Sequence, residues 1–269
     1  MDAPQLPQTT QIMASLAPAR VLKLVRDSLA AAKAAAVEKR RNVYLATVAH
    51  EMRNAMGPLT CAIDILALRA ADVPETAKLV PVVHRQMRQL GKLTEDLLDL
   101  GRAANEEFRM TFRAESVQDI VGGVAAAWNI LAAMKGQAIS LAMPQAPLVV
   151  QADRVRLAQA IQNIVANAIK YTPEGGAIAM NVLASGNSVK IEVVDSGIGI
   201  AASDIDKVFE LFYSAGGDDA RASGCGIGLA LAAKLVELHG GSISAASGGL
   251  GMGTVFTIAL PLIAPLRAA

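Results

Sequence analysis

The sequence predicts two architectures in series, an all-α helical hairpin followed by an α+β sandwich. In the N-terminal part, apolar residues recur at intervals of three and four, which is typical of long amphipathic helices. After about residue 108 the pattern changes to short alternating apolar runs between helical stretches. We therefore divide the 269 residues into a disordered or frayed segment (1–18), a helical hairpin (19–107) and a mixed domain (108–265).

The hairpin is predicted from two long apolar stripes and the turn between them. The first helix covers about residues 20–69 and contains one proline, Pro58. The run ADVPETA predicts the turn, with Pro74 ending the helical pattern, and the second helix follows over about 76–107. Two helices alone cover little of each other's apolar stripe. We therefore expect the hairpin to form a four-helix bundle in a homodimer.

The mixed domain is predicted from the spacing of its apolar runs. Alternating runs predict strands, and stretches of three-to-four periodicity between them predict helices. Together they favour one mixed or antiparallel sheet with helices on one face. The predicted strands are 148–152, 178–183, 189–195 and 254–260, and the predicted helices are 116–134, 153–170 and 229–239.

The composition excludes several classes of protein. Charged residues make up 18% of the chain, and 25 basic residues balance 24 acidic ones, so no nucleic-acid partner is expected. The longest charge-free stretch, 240–266, is broken by Pro261 and Pro265, so we predict no membrane segment in this chain. The N-terminus lacks a signal-peptide pattern, and Cys61 and Cys225 form neither a disulfide framework nor a metal pattern. We therefore expect a cytoplasmic location.

One histidine of the first helix lies in a chemically specific setting. His50 falls about 140° from the centre of the apolar stripe, so its side chain is predicted to face solvent. Glu51 follows it directly, and Asn54 lies about one turn further on the same face. An imidazole with one nitrogen held by a carboxylate leaves the other nitrogen free to attack. Taken alone, however, such a histidine is more simply a solvated surface residue.

The residues around this histidine, HEMRNAMGPL, resemble the H-box of the sensor histidine kinases. The resemblance implies that His50 is phosphorylated and that Glu51 acts as general base. It also implies that Asn54 positions a water molecule for phosphatase action on a partner. Ala55 stands where the family usually has a proline that bends the helix.

Three patterns in the mixed domain suit a bound nucleotide. Asn163, Asn167 and Lys170 lie within about 60° of one another on the polar side of a predicted helix, and amide oxygens beside a cation suit Mg²⁺ and phosphate. Asp195 ends a strand and precedes glycines, which let the backbone approach a flat ligand. The run SGCGIG, 223–228, places glycines before a helix whose first amides can bind an anion. Each pattern alone could be a solvated face or an ordinary turn.

In this order and spacing, the three patterns resemble the N, G1 and G2 boxes of the GHKL (Bergerat) ATPase fold. The run VFELFYS, 208–214, resembles the F box, and the glycine-rich C-terminal part resembles the closing segment of the kinases. The resemblance covers about residues 40–262. It implies ATP and Mg²⁺ as ligands, with Asn167 binding the metal, Lys170 contacting the phosphates and Asp195 contacting the adenine amino group.

The resemblance also implies roles for neighbouring residues. Tyr171 would lie beside the ribose and phosphates, and a flexible lid would span about 214–223, with Arg221 as a further phosphate contact. Phe209 and Phe212 would anchor that lid. The glycines that would shape the pocket and the lid are Gly197, Gly199, Gly224, Gly226 and Gly228.

Asn163 bears on the type of reaction. ATP-hydrolysing members of the superfamily have a glutamate four residues before the metal-binding asparagine, where it activates water. An amide cannot act as a base near neutral pH. We therefore favour phosphoryl transfer over hydrolysis and keep Asn163 among the nucleotide-binding residues. His84 and His239 are expected to be a surface residue and a helix-end residue without catalytic roles.

Together, the patterns predict the core of a two-component sensor histidine kinase. It would phosphorylate His50 from Mg-ATP and pass the phosphoryl group to an aspartate in a response-regulator receiver domain. Since no sensory domain is recognised, we expect a separate sensory protein or a missing sensor domain. Two alternatives remain open, a GHKL ATPase and a dimeric phosphotransfer or scaffold protein that does not bind ATP.

Overall fold

The structure, a computed structural model, describes part of the chain: residues 52, 56–57, 59–61, 63–65, 74–104, 109–213 and 226–263. Several predicted positions lie outside the described residues. These are His50, Glu51, Asn54, Arg221 and Gly224, together with the segment 1–18 and the lid over 214–223.

In the helical hairpin, the structure describes the second helix from Pro74 to Ala104 and scattered residues of the first helix. All described residues between Met52 and Ile65 are helical, and the helix α1 spans Pro74–Ala104. The second helix was predicted to begin at about residue 76, and it begins two residues earlier, with Pro74 as the first residue of α1. Proline is favourable at that position, since its missing N–H would have no partner in the first helical turn.

The two helices contact each other through a small residue. A Cβ on Gly91 of α1 would lie 3.2 Å from the terminal methyl carbon of Met56. The hydroxyl of Thr94, one turn further along α1, lies 3.8 Å from the Met56 sulfur. The missing side chain at Gly91 therefore lets Met56 lie directly on the backbone of α1.

The rest of the described chain forms an α+β sandwich, as the sequence predicted. Its helices and strands follow one another in the order β1 Arg113–Ser116, α2 Val117–Ala133, β2 Ala138–Ala142, β3 Val149–Ala152, α3 Arg154–Tyr171, β4 Ala177–Ser185, β5 Ser188–Asp195, α4 Gly228–Leu238, β6 Ser242–Ala246 and β7 Thr254–Pro261.

The main sheet has five strands in the order β2-β4-β5-β7-β6. The pair β2 and β4 is parallel and the other neighbours are antiparallel, so the sheet is mixed. Strands β1 and β3 form a separate antiparallel pair. We did not predict β1, β2 or β6. These strands are short, and small or mostly exposed residues give them no alternating apolar pattern.

The core lies between the sheet and the helices α2, α3 and α4. Every second residue of β5 is buried, beginning at Val189 and ending at Asp195. Because alternate residues of a strand share one face, Asp195 points to the helix side of the sheet. The predicted apolar stripe of α3 is confirmed, and all its members are buried, namely Leu157, Ile161, Ile164, Val165 and Ala168.

Helix α3 is fixed at its first turn by polar contacts. Asp153 is its N-cap and accepts hydrogen bonds from the backbone N–H groups of Val155 and Arg156. The N–H of Asp153 itself donates to Nε2 of His239, and Nδ1 of His239 lies 2.7 Å from the Leu235 carbonyl oxygen. His239 is the C-cap of α4, so it joins the end of α4 to the start of α3.

Helix α1 packs against the sandwich across the predicted domain boundary. Asp99 accepts hydrogen bonds from Nη1 of Arg156 at 2.8 Å and from Nε2 of Gln159 at 2.9 Å, both on α3. Ala103 joins the core of the sandwich. Among the residues that the structure describes, no helix has the length and apolarity needed to cross a membrane.

Candidate functional site

A cavity of about 290 Å³ opens between α3, the start of α4 and the end of β5. Two walls define it. The "helix wall" consists of Asn167, Lys170 and Tyr171 on the last turns of α3. The "loop wall" consists of residues 195–201, which run from the last residue of β5 into the loop after it, and residues 247–254, which run from the β6–β7 turn to the first residue of β7. Residues from segments that are far apart in the sequence therefore face one space.

Most of the predicted nucleotide-binding residues that the structure describes line this cavity. They are Asn167, Lys170, Tyr171, Asp195, Gly199, Gly226 and Gly228. Asn163 and Gly197 do not line it. Asn163 is buried, and its Nδ2 donates to the Gly228 carbonyl at 3.0 Å. The structure therefore gives Asn163 a contact that positions the start of α4 rather than one that faces the cavity.

The helix wall presents a cation and an amide. The Lys170 ammonium donates a hydrogen bond to the Tyr171 hydroxyl at 3.0 Å and lies 4.4 Å from the centre of that ring. The Tyr171 carbonyl accepts a hydrogen bond from the Ile198 N–H at 3.2 Å. The last turn of α3 is thus connected to the loop wall, while Asn167, one turn earlier, offers an uncharged oxygen.

Asp195 is a buried carboxyl at the base of the loop wall, with 6% of its surface exposed. Its Oδ1 accepts a hydrogen bond from the Gly197 N–H at 2.8 Å. Burial raises the pKa of Asp195, and backbone hydrogen bonds from Gly197 and Thr254 lower it by less. As a carboxylate it only accepts hydrogen bonds, so it suits a ligand group that donates them.

Three glycines of the predicted motifs are required by the close approach of other backbone, and at Gly197 a Cβ would lie 2.6 Å from the Tyr171 carbonyl oxygen. Gly199 has φ +68°, and a Cβ there would collide with the Gly249 carbonyl oxygen. Gly226 has φ +62°, and a Cβ there would collide with the backbone of Phe212 and Tyr213. In contrast, a Cβ on Gly228 would meet only ordinary contacts. Gly197, Gly199 and Gly226 therefore exclude any side chain.

The two phenylalanines of the predicted F box differ. Phe209 packs on the core and makes an edge-to-face contact with Phe256, with ring centres 6.3 Å apart. Phe212 is 55% exposed and has φ +65°, and its N–H donates to the Gly226 carbonyl. Both precede the segment where we predicted a lid, and that segment lies outside the described residues.

Twelve of the lining residues were not predicted as site residues, among them Leu93, Leu250 and Thr254. Thr254 pairs with Asp195 across β5 and β7. Aligning the two predicted strands as antiparallel neighbours could have placed Thr254 opposite Asp195. Leu250 lies in a glycine-rich turn without periodicity. Leu93 belongs to α1, and no local pattern relates that helix to a nucleotide site.

The chain matches two family models. Residues 40–106 match the His Kinase A (phospho-acceptor) domain. Residues 152–264 match the histidine kinase-, DNA gyrase B-, and HSP90-like ATPase. The first range includes His50, and the second includes every described residue of the two walls.

Curated relatives include several sensor kinases. Sensor histidine kinase RcsC of Escherichia coli (strain K12) is 31% identical over 225 residues, which cover 82% of this chain and 23% of that protein. Histidine protein kinase DivJ of Caulobacter vibrioides is 30% identical, covering 84% and 38%. Sensor histidine kinase WalK of Bacillus subtilis (strain 168) is 31% identical, covering 84% and 37%. The chain thus spans less than half the length of these relatives.

Solved structures show the same architecture. Full-length ShkA, crystallised in complex with AMPPNP, is 28% identical with a TM-score of 0.70, covering 84% of this chain and 47% of that one. The Acinetobacter baumannii histidine kinase AdeS is 21% identical with a TM-score of 0.58, covering 80% and 98%. The second likeness concerns the fold alone.

Proposed function

The chain belongs to the sensor histidine kinases, since the phospho-acceptor and ATPase models together match more than half of its residues, and on this premise we propose that it carries out phosphoryl transfer from ATP. The proposed reaction moves the γ-phosphoryl group of Mg-ATP to His50. The group then passes to an aspartate in the receiver domain of a response regulator. Because ATP is the donor, the reaction belongs to the cytoplasm.

One observation carries this proposal: groups suited to the two ends of a nucleotide line a single cavity. Asn167 and Lys170 stand on the helix wall, Asp195 stands on the loop wall, and Gly228 begins α4. The start of a helix beside a cation suits phosphates. A carboxylate that only accepts hydrogen bonds suits the amino group of adenine. The base would therefore lie against the loop wall and the phosphates against the helix wall.

Asn167 fits the role of a Mg²⁺ ligand. In nucleotide sites Mg²⁺ takes one or two protein ligands, and phosphate oxygens and water complete its shell. Among the residues that the structure describes, no group of three or more His, Cys, Asp or Glu could hold a metal ion alone, and Asn167 lines the cavity. When bound, the metal supplies charge neutralisation for the transferred group. Lys170 adds a second positive charge at the phosphates.

In the transfer step, a ring nitrogen of His50 bonds to the γ-phosphorus while the bond from that phosphorus to the ADP oxygen breaks. Glu51 holds or accepts the imidazole proton. Asn54 would orient a water molecule when the phosphoryl group of a partner is hydrolysed. These roles rest on the pattern HEMRNAMGPL and on the match of residues 40–106 to the phospho-acceptor model.

The contact made by Asn163 supports transfer rather than hydrolysis. The side chain of Asn163, at the position of the water-activating glutamate in ATPases, donates to the Gly228 carbonyl. A side-chain amide is not basic enough near neutral pH to take a proton from water. ATP bound in the cavity is therefore spared for transfer.

We also propose that two copies associate through the helical hairpin. Large apolar side chains of the bundle are more than 40% exposed in the single chain, namely Leu59, Ile65, Val82 and Val83. Burying apolar surface contributes about 25 cal/mol per Å², and a second hairpin would cover these residues in a four-helix bundle. Sedimentation analysis should give the mass of a dimer, and a monomer at micromolar concentration would contradict this part of the proposal.

The function is tested by following the γ-phosphate of labelled ATP. A histidine kinase transfers the label to the protein and releases little inorganic phosphate. Release of phosphate without labelled protein would instead favour a GHKL ATPase. A calorimetric titration with ATP that shows no heat would favour a scaffold protein that does not bind nucleotide.

A further inference from the structure

Ser247 lies in the turn after β6, at the end of the segment HGGSISAAS, in which the sequence predicted no nucleotide-binding residue, and its hydroxyl contacts both parts of the loop wall. The hydroxyl accepts hydrogen bonds from the N–H of Ile200 at 3.1 Å and from the N–H of Gly249 at 3.2 Å. It donates to the carbonyl of Gly253 at 2.6 Å. Ile200 belongs to the part of the wall that follows Asp195, and the two glycines belong to the β6–β7 turn.

These contacts use the full capacity of the side chain. A serine hydroxyl has one donor and two acceptor lone pairs, and all three are directed to backbone groups of the loop wall. The Gly249 carbonyl, at 3.2 Å, is the longer alternative to Gly253 for the single proton. Removing the hydroxyl would leave two N–H groups and one carbonyl without this partner.

Backbone contacts show how closely the two parts of the wall are matched. The N–H of Gly251 donates to the Ile198 carbonyl at 2.7 Å, and the N–H of Gly253 donates to the Gly197 carbonyl at 3.1 Å. Gly199 is so close to Gly249 that no Cβ fits between them. The hydroxyl of Ser247 is the side-chain contact that completes this set. The spacing of the two loops therefore depends on it.

We propose that Ser247 is a positioning residue for the nucleotide base, holding residues 197–200 and 249–253 at the spacing that the base requires. The inference rests on the proposed function, because it assumes that the base lies against the loop wall. Ile198, Ile200, Leu250 and Thr254 line the cavity from these two loops or directly beside them. Loosening the loops changes the base pocket and leaves Asn167 and Lys170 on α3 in place.

This placement predicts a specific pattern of lost affinity. Ser247→Ala should weaken the binding of adenosine, ADP and ATP by a similar factor, about tenfold, which corresponds to about 1.4 kcal/mol. The factors should agree because the three ligands share the base and differ only in phosphates. The melting temperature of the Ala variant should stay unchanged. A general loss of structure would lower it and would not reduce the three affinities by equal factors.

The experiment is an equilibrium titration of the full chain with each of the three ligands, together with thermal unfolding. Ser247→Thr keeps a hydroxyl and should stay within about threefold of wild type, since a change of that size is under 1 kcal/mol. Ser247→Cys replaces the hydroxyl with a somewhat larger thiol that is only a weak donor, so its affinity should fall between the Thr and Ala variants. Ser244→Ala, an exposed serine on β6, is the matched control and should behave as wild type.

Three results would overturn the inference. They are wild-type affinity in Ser247→Ala, a loss confined to ATP, and a Thr variant no better than the Ala variant. If the Ala variant does not fold, the order of affinities wild type, Thr, Cys decides the question. A wild-type protein that binds none of the three ligands contradicts the proposed function instead. Hydrogen exchange at the N–H of Ile200 should be slow in the wild type and fast in the Cys variant. This measurement reports the contact between the two loops without any ligand.

Discussion

The two walls of the cavity are built in different ways. The helix wall is a set of side chains on one regular element, where Asn167 and Lys170 are about 4.5 Å apart along the helix axis. The loop wall is mainly backbone, in which Gly199 approaches Gly249 and a single hydroxyl, that of Ser247, joins the two loops. Changes to the helix wall should therefore remove a chemical group. Changes to the loop wall should alter a shape.

Asn167→Ala should have the largest effect, because it removes the proposed metal ligand without changing the loop wall. Labelling of the protein by γ-labelled ATP should fall by about 10²–10³-fold, the range observed when one electrostatic contact to a transferring group is lost. The affinity for adenosine should not change. Asn187→Ala, in an exposed turn, is the control. Equal losses for adenosine and ATP would show that the two walls do not act separately.

Gly199→Ala should have the next largest effect, because it changes the shape of the loop wall without removing a group that contacts the nucleotide. A Cβ at φ +68° is strained and would push Gly249 away, at a cost of about 1–3 kcal/mol. The affinity for adenosine and for ATP should fall together, by roughly 10- to 100-fold. Gly186→Ala has a similar φ of +58° with open space around it. If that control weakens nucleotide binding as much, the contact with Gly249 is not the cause.

Asp195→Asn should weaken adenine binding by about tenfold, the cost of one hydrogen bond. An amide also donates, so the variant should gain affinity for an inosine nucleotide, whose ring carries a carbonyl at the same position. In the wild type, burial raises the pKa of Asp195. As the pH is lowered, ATP affinity should therefore begin to fall at a higher pH than it would with an aspartate of ordinary pKa. Titrations across pH should show this loss in the wild type and a flat profile in the variant.

Asp96→Asn should change stability and leave both walls unaffected. Asp96 lies on α1, and burial raises its pKa to about 6, with Asp99 and Glu95 adding to the effect and Lys92 opposing it. The folded state then binds this proton more tightly than the unfolded state, so wild-type stability rises as pH falls from about 6 to 4.

Above pH 6 the variant should be more stable than the wild type by about 1–3 kcal/mol, and below pH 4 the two should agree. Urea unfolding at pH 8 and pH 4 measures the difference. A variant that is less stable at pH 8 would show that the Asp96 charge is favourable at the contact between α1 and the sandwich.

The helix wall could be predicted from the sequence because a helix has a fixed period. Asn167 and Lys170 share a face on any helical wheel, and the buried stripe opposite them was also predicted correctly. Asp195 and the glycines after it could be recognised because a strand and its turn are local. The remaining residues depend on tertiary contacts. Thr254 reaches the site through the pairing of β5 with β7. Ser247 reaches it from the β6–β7 turn through its contact with Ile200, and Leu93 reaches it through the packing of α1.

Asn163 shows what a helical wheel cannot predict. The wheel groups it with Asn167 and Lys170, but in the structure its amide faces the carbonyl of Gly228 at the start of α4. A polar residue on the shared face can therefore serve the packing of two helices instead of a ligand. Only the position of α4 decides between the two.

The central claim is that the cavity supplies the phosphoryl group to one histidine. It is tested most directly by incubating the chain with γ-labelled ATP and determining where the label resides. The account predicts a label that is lost in acid and stable in base, absent from His50→Ala, and unchanged in His84→Ala and Cys61→Ala. A label that survives acid, or one that is undiminished in His50→Ala, would contradict it.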